Sequence, residues 1–334
     1  MKNDNLQRNR RLLKHGASPM GDGSTSSPRA RLFDGARPEP VEGCEFQKRC
    51  DKLQRNKLPV MILAGGFGTR LREETEFRPK PMVPIGGMPM LWHIMKIYSH
   101  FGFYRFIICL GYKGDMIKNY FLNLKLQGID FTINTKSGDI VEHCVSEEDW
   151  EVTLVDTGQN CMTGGRVARA AQYVDTDKFL LTYGDGLANV DILNLLDFHE
   201  QHGCLATLTG VNLPSRFGNL KLDGNKVESF LEKKQISDEW INGGFFVLER
   251  EFLKYLSINP DCVLEQAPLF SAAQDSQLMV YKHSGFWQCM DTLREHELLE
   301  KLWQTGAPWK MWEDKKESFT PAKIDRGKIT QASI

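Results

Sequence analysis

From Val60 onward the chain alternates short apolar runs with amphipathic stretches, and this alternation limits the fold more than any other feature. VMILA (60–64) reads as a buried strand, and MLWHIMKIYSHFG (90–102) as a helix ending at glycine. RFIICLG gives a second strand and DMIKNYFLNL a second helix. VTLVDT (152–157), a helix over about 165–174, the strand KFLLTY, the helix DILNLLDFHEQH and the strand CLATLTGV continue the series. Strands alternating with helices predict an α/β doubly wound fold: a mainly parallel sheet with helices on both faces. The pattern then changes. NLKLDGNKVESFLEK holds two short strands around Asp223-Gly224, a hairpin signal, and WINGGFFVLER is a further strand-like run. A smaller β-rich section at about 212–250 therefore follows the α/β core. In DTLREHELLEKLWQ, Leu293, Leu298, Leu299 and Leu302 fall largely on one helical face, as packing residues do.

Charge divides the chain at the same place as the patterning. Residues 1–57 carry thirteen Lys or Arg against seven Asp or Glu, with the turn-rich run GDGSTSSPRA, whereas the rest of the chain has a net charge of −7. The expectation is a disordered extension over 1–57, a single domain over 58–315 and a tail over 316–334. With a net charge of −1, no global field favours nucleic acid or an anionic membrane. No window approaches the roughly 18 uninterrupted apolar residues of a transmembrane helix, and residues 1–25 lack a secretory apolar core. A soluble, cytoplasmic protein is expected. The eight cysteines include no C-x-x-C pair, so neither a zinc site nor a disulfide framework is indicated, and Cys109 and Cys204 read as core.

The stretch LAGGFGTRLREETEFRPKPM leaves the carboxyl end of the first strand, where ligands bind in open α/β sheets. Gly65, Gly66 and Gly68 allow a sharp turn and let bare N–H groups approach phosphate, and Arg70 and Lys80 add positive charge. Two familiar phosphate loops fail on spacing. G-x-G-x-x-G would need glycine at Leu71, and a Walker loop would need G-K-[ST] after its second glycine. Asp185 follows the strand KFLLTY in TYGDG, and Asp291 lies far away in GFWQCMDT. Converging carboxylates hold Mg²⁺, yet Asp-Gly also forms turns and Asp291 also suits a helix N-cap. LVDTGQNCMTGGR likewise reads either as nucleotide-binding or as a loop capping the next helix, with Thr163 as N-cap.

LAGGFGTRL followed by RPKPMVPIGGMPM resembles the signature of the sugar-1-phosphate nucleotidyltransferases. LWHIMKIYSHFG, VTLVDTG with MTGGR, TYGDG, INGGFFV and GFWQCMDTLRE extend the likeness over most of 58–313. The resemblance implies a Rossmann-like fold with an inserted β region, a homo-oligomer, and Mg²⁺-dependent joining of a nucleoside triphosphate to a sugar 1-phosphate. It further implies that Leu63, Ala64, Gly65, Gly66, Phe67, Gly68 and Thr69 hold base and triphosphate. Arg70 would bind the departing pyrophosphate and Lys80 would lie against the reacting phosphates, the two catalytic assignments. Cys161, Thr163, Gly164, Gly165 and Arg166 would complete the nucleotide site with Gly184 and Asp185, Arg166 being the charged contact. Asp185 and Asp291 would hold the metal. The MTGGR segment favours CTP as donor, with glucose 1-phosphate as acceptor. Gly218, Glu232, Lys233, Asn242 and Gly243 would bind the sugar phosphate, with Lys233 on the phosphate and Glu232 on a hydroxyl, while Trp287 packs.

Two departures stand out: Lys234 and Cys289 occupy positions where many relatives carry proline. Neither removes a charged contact. UTP or dTTP as donor, another hexose, or a non-catalytic nucleotide-sugar regulator remain the alternatives.

Overall fold

The computed structural model describes residues 57–143, 148–212, 219–231 and 239–312. Numbering the strands of the main sheet and the principal helices in chain order gives β1 (Val60–Ala64), α1 (Met90–His100), β2 (Arg105–Leu110), α2 (Gly114–Asn123), β3 (Glu151–Asp156), α3 (Thr163–Ala170) and β4 (Lys178–Tyr183). There follow α4 (Ile192–His202), β5 (Ala206–Val211), β6 (Ile241–Glu249), α5 (Ala267–Gln274), β7 (Leu278–His283) and α6 (Leu293–Thr305). The sheet runs β7-β5-β6-β4-β1-β2-β3. Six strands are parallel and β6 alone is antiparallel, pairing with β4 on one side and β5 on the other.

Period-two burial explains why β1 sits at the centre. Val60, Ile62 and Ala64 enter one apolar cluster with residues of α1, α2, α4 and α6, while Met61 and Leu63 enter another with residues of α3 and α5. A strand that buries both faces belongs in the middle of a sheet covered by helices on both sides. Local signals then fix the helix ends. α4 begins where the Asp191 side chain accepts the Asn194 N–H at 2.9 Å, and stops at Gly203 with φ +66°.

Three elements differ from the sequence reading. The helix expected over about 165–174 starts at Thr163 and tightens into a 3-10 turn at Ala171–Tyr173. Its N-cap is Met162, and Thr163, the expected cap, is the first helical residue. The β-rich section is not all an insertion. Asn219–Asp223 and Lys226–Leu231 form a separate hairpin, but β6 is built into the main sheet, because both faces of FFVL are buried between β4 and β5. Strand β7 is absent from the sequence reading although LMVY is an apolar run, and it forms a half-exposed edge of the sheet. Cys109 is buried as expected, whereas Cys204 is only half-buried.

Candidate active site

The strand order reverses between β1 and β4, and a crevice opens where it does. Register keeps the carboxyl ends of the neighbouring strands level: Leu63 pairs with Tyr183 and Ala64 with Leu110. Glycine follows each strand, at 65, 111 and 184. At Gly184 the reason is close approach, since a Cβ there would lie 2.6 Å from the Leu63 carbonyl oxygen. The cavity above these ends has a volume of about 560 Å³.

The glycine turn forms one wall. Gly68 adopts φ +62° and starts the 3-10 turn Thr69–Leu71, which puts Arg70 outward at the rim. Its carbonyl is held by the Leu71 N–H at 2.9 Å and by Thr75 Oγ1 at 3.1 Å. A Cβ on Gly66 would meet nothing within 4 Å, so that backbone faces open cavity. Leu63, Ala64, Gly65, Phe67 and Thr69 also line this wall.

The charged centre joins residues more than a hundred positions apart. Lys80 Nζ lies 2.7 Å from Asp185 Oδ2 and 2.6 Å from Asp291 Oδ1, and Arg70 Nη1 lies 2.6 Å from Asp291 Oδ2. Pairing of Gly186–Ala188 with Trp287–Cys289, and the Met290 N–H donated to the Asp185 carbonyl at 2.9 Å, bring the two aspartates together. Asp291 is not the helix N-cap. Thr292 caps α6 in a reciprocal box with Glu295, so the Asp291 carboxylate serves the cations instead. Lys80 is 9% exposed and Arg70 is 76% exposed in its side chain. Burial alone would lower the Lys80 pKa, but Asp185 and Asp291 outweigh it and hold the ammonium charged, with its pKa above the usual lysine value. Burial, with Glu295, Asp291 and Asp185 nearby, pushes the Cys289 thiol up to about 11, so it stays protonated at neutral pH.

Two carboxylates that each place an oxygen on one ammonium nitrogen converge on a point. That donor set fits Mg²⁺, which takes one or two carboxylates and completes its shell with phosphate oxygens and water. Among the described residues there is no group of three or more His, Cys, Asp or Glu arranged to hold a metal by protein ligands alone.

The second wall corrects the reading of Arg166. It lines the cavity, but it is 4% exposed and its guanidinium donates to the carbonyls of Leu110 (2.9 Å), Gly158 (2.9 Å), Gly65 (2.8 Å) and Gln159 (3.2 Å) and to Thr157 Oγ1 (2.7 Å). Both terminal nitrogens are thus engaged behind the glycine turn, by four backbone carbonyls and one hydroxyl, so the side chain ties the loops together rather than offering a free charged contact. Cys161 and Thr163 line the cavity; Gly164 and Gly165 do not, and pack against the 259–262 segment. Thr163 Oγ1 donates to Glu265 Oε2 at 2.6 Å and accepts the Leu264 N–H at 2.9 Å.

On the acceptor side, Asn242 and Gly243 stand away from the cavity lining. Asn242 reaches it through Tyr183, donating from Nδ2 to the phenol oxygen at 2.9 Å, and the Gly243 carbonyl accepts Trp287 Nε1–H at 2.7 Å, a packing role for that tryptophan. Gly218, Glu232 and Lys233 lie outside the described residues. The cavity also contains Met162, inside the 161–166 stretch read as nucleotide-binding, and residues that the motif reading did not assign: Pro81, Gln159, Asn160, Tyr183 and Glu265. Of these unassigned residues, all but Glu265 lie within quoted motifs. Glu265, in PDCVLEQ, carries no sequence signal. Burial and the Glu265 carboxylate raise the Tyr183 phenol pKa, which keeps it a donor.

A nucleotidyl transferase family model matches residues 59–292. The chain is 52% identical over 258 residues to the glucose-1-phosphate cytidylyltransferase of Salmonella typhi, a match covering 77% of this chain and all of that protein. Among solved structures, HddC from Yersinia pseudotuberculosis superposes with a TM-score of 0.53 at 22% identity, over 74% of this chain and 99% of that one. An apo UDP-glucose pyrophosphorylase gives 0.54 at 15% identity, over 74% and 98%. These two share the fold.

Proposed function

Because the chain belongs to the nucleotidyl transferase family, we propose that it transfers a cytidylyl group from CTP to α-D-glucose 1-phosphate, giving CDP-glucose and pyrophosphate. The observation that carries this reading is the 52% identity across the whole length of the Salmonella enzyme. A phosphate oxygen of the sugar 1-phosphate attacks the α-phosphorus of CTP, and the bond from that phosphorus to the pyrophosphate oxygen breaks. Both reactants are anions, so the protein's task is charge neutralisation and in-line positioning.

The glycine turn from Leu63 to Thr69, with Cys161, Thr163 and Gly184, holds the nucleotide. Lys80, charged and buried, lies against the reacting phosphates, and Arg70 at the rim takes the departing pyrophosphate. Asp185 and Asp291 would hold Mg²⁺, which supplies further neutralisation of phosphate charge when bound. Arg166 keeps the glycine turn in place through the Gly65 carbonyl. By resemblance, Lys233 and Glu232 with Gly218 meet the sugar phosphate and a hydroxyl, and Asn242 and Gly243 support that side from behind Tyr183.

The reading assigns the reaction to residues 58–315, as a homo-oligomer in the cytoplasm. Light scattering measures the oligomer. No helix among the described residues is long and apolar enough to cross a membrane. The test of function is pyrophosphate release with CTP, UTP, dTTP, ATP and GTP against a panel of sugar 1-phosphates. Absence of release from CTP with glucose 1-phosphate refutes the assignment, and a higher kcat/KM with UTP, dTTP or another hexose redirects it.

A further inference from the structure

We propose that Glu265 is a positioning residue, a strut that fixes the nucleotide wall of the cavity against its acceptor wall. The proposal rests on the transfer reaction above. Glu265 lies just before α5 and belongs to no motif. Its Oε2 accepts the Thr163 hydroxyl at 2.6 Å and its Oε1 accepts the Tyr183 hydroxyl at 2.5 Å. Thr163 opens α3, beside the segment that lines the nucleotide side, and Tyr183 ends β4, two residues before Asp185.

The hydrogen positions follow from the partners. The Gly244 N–H donates to Asn242 Oδ1 at 2.9 Å, which turns Asn242 Nδ2 toward the Tyr183 oxygen. The Leu264 N–H, likewise a donor with no acceptor capacity, points at Thr163 Oγ1. Each hydroxyl oxygen therefore already accepts from nitrogen, and each hydroxyl hydrogen is directed at Glu265. The carboxylate must accept on both oxygens, a demand met by its ionised form and not by an amide. One side chain thus ties together α3, β4 and, through Tyr183, β6.

An in-line displacement loses about 10²-fold in rate for a misplacement of about 1 Å. The strut holds the two halves of the reaction to each other rather than binding either, so its loss acts on turnover. Glu265→Gln keeps the size and directs an amide hydrogen at one hydroxyl hydrogen. The expected result is a fall in kcat of about 10²-fold with the KM for CTP and for glucose 1-phosphate each moved by less than about threefold. Tyr183→Phe and Thr163→Val each remove one end of the strut, and either one combined with Glu265→Gln should cost no more in kcat than the more severe single variant. Glu265→Asp retains both acceptors and should recover part of the lost kcat. Four results overturn the strut: a wild-type kcat in Glu265→Gln, a lowered melting temperature with unchanged kcat per folded molecule, additive losses in the double variants, or a rise in KM alone. If the wild-type chain does not use CTP and glucose 1-phosphate, the functional reading fails separately. The variants are then compared with the substrate pair the wild type does use, and an unchanged kcat there removes the strut as well.

Discussion

Replacing Lys80 with methionine should strengthen metal binding and weaken catalysis. The lysine nitrogen lies 2.7 Å from Asp185 and 2.6 Å from Asp291, at the point where the two carboxylates converge. A divalent cation held by both aspartates must displace both contacts. Hydrogen bonds to charged groups contribute about 1.5–3 kcal/mol each, so releasing two costs about 3 kcal/mol at the low end. At 1.4 kcal/mol per factor of ten, Lys80→Met should bind Mg²⁺ about 100-fold more tightly than wild type in the absence of nucleotide. Its kcat should nevertheless fall by about 10²–10³, the usual effect of removing one preorganised charge from a phosphoryl-type transition state. Titration calorimetry with Mg²⁺ measures the first effect and pyrophosphate release the second. Equal Mg²⁺ affinity in the two proteins would refute the convergence of the aspartates on a shared ion, and a kcat within about threefold of wild type would remove Lys80 from the reacting phosphates. The sign of the pH dependence follows from the raised lysine pKa. The ion pairs' stabilisation is fully present below the unfolded lysine value of about 10.4, and is lost only as pH rises through the higher folded value. The stability difference between wild type and Lys80→Met should therefore be level from pH 6 to 9.

Gly66→Ala puts a methyl group into open cavity, so urea unfolding should be unchanged while the KM for CTP rises by about tenfold or more, the effect of overfilling a fitted contact. A wild-type KM would place the nucleotide elsewhere. Arg166→Met takes the guanidinium from the Gly65 and Leu110 carbonyls, which keep the Tyr112 and Thr157 N–H donors, and should cost about 1–3 kcal/mol in unfolding free energy, with weaker CTP binding as the turn loosens. A loss below about 1 kcal/mol would show that the loops hold themselves. Burial lowers the pKa of His93 and of His199 to about 4 each, which favours their neutral forms in the folded chain. Their contribution is present above the unfolded value of about 6.5 and declines as pH falls toward 4, by about 2 kcal/mol for each between pH 7 and pH 5. Urea unfolding at the two pH values measures this, and a flat profile would contradict it.

By itself, the sequence determined what depends on neighbours in the chain. The short apolar runs VMILA and RFIICL, the glycine stop after a helix and the alternation of strand with helix identify a mainly parallel sheet, since each pattern reports burial within a few residues. The glycine turn with Arg70 and Lys80 was legible for the same reason, and family resemblance attached a reaction to it. Tertiary structure decided everything set by long-range pairing. The insertion of β6 between β4 and β5, the strand pairing that brings Asp291 to Asp185, and the Thr292 cap that leaves Asp291 to the cations all join segments distant in the chain. Arg166 turned from an expected ligand contact into a loop clamp because its burial, invisible in GGR, turns its terminal nitrogens onto four backbone carbonyls and the Thr157 hydroxyl. Glu265 had no local signal at all. Its place follows from two hydroxyls, 102 and 82 residues away, that the fold brings to one carboxylate.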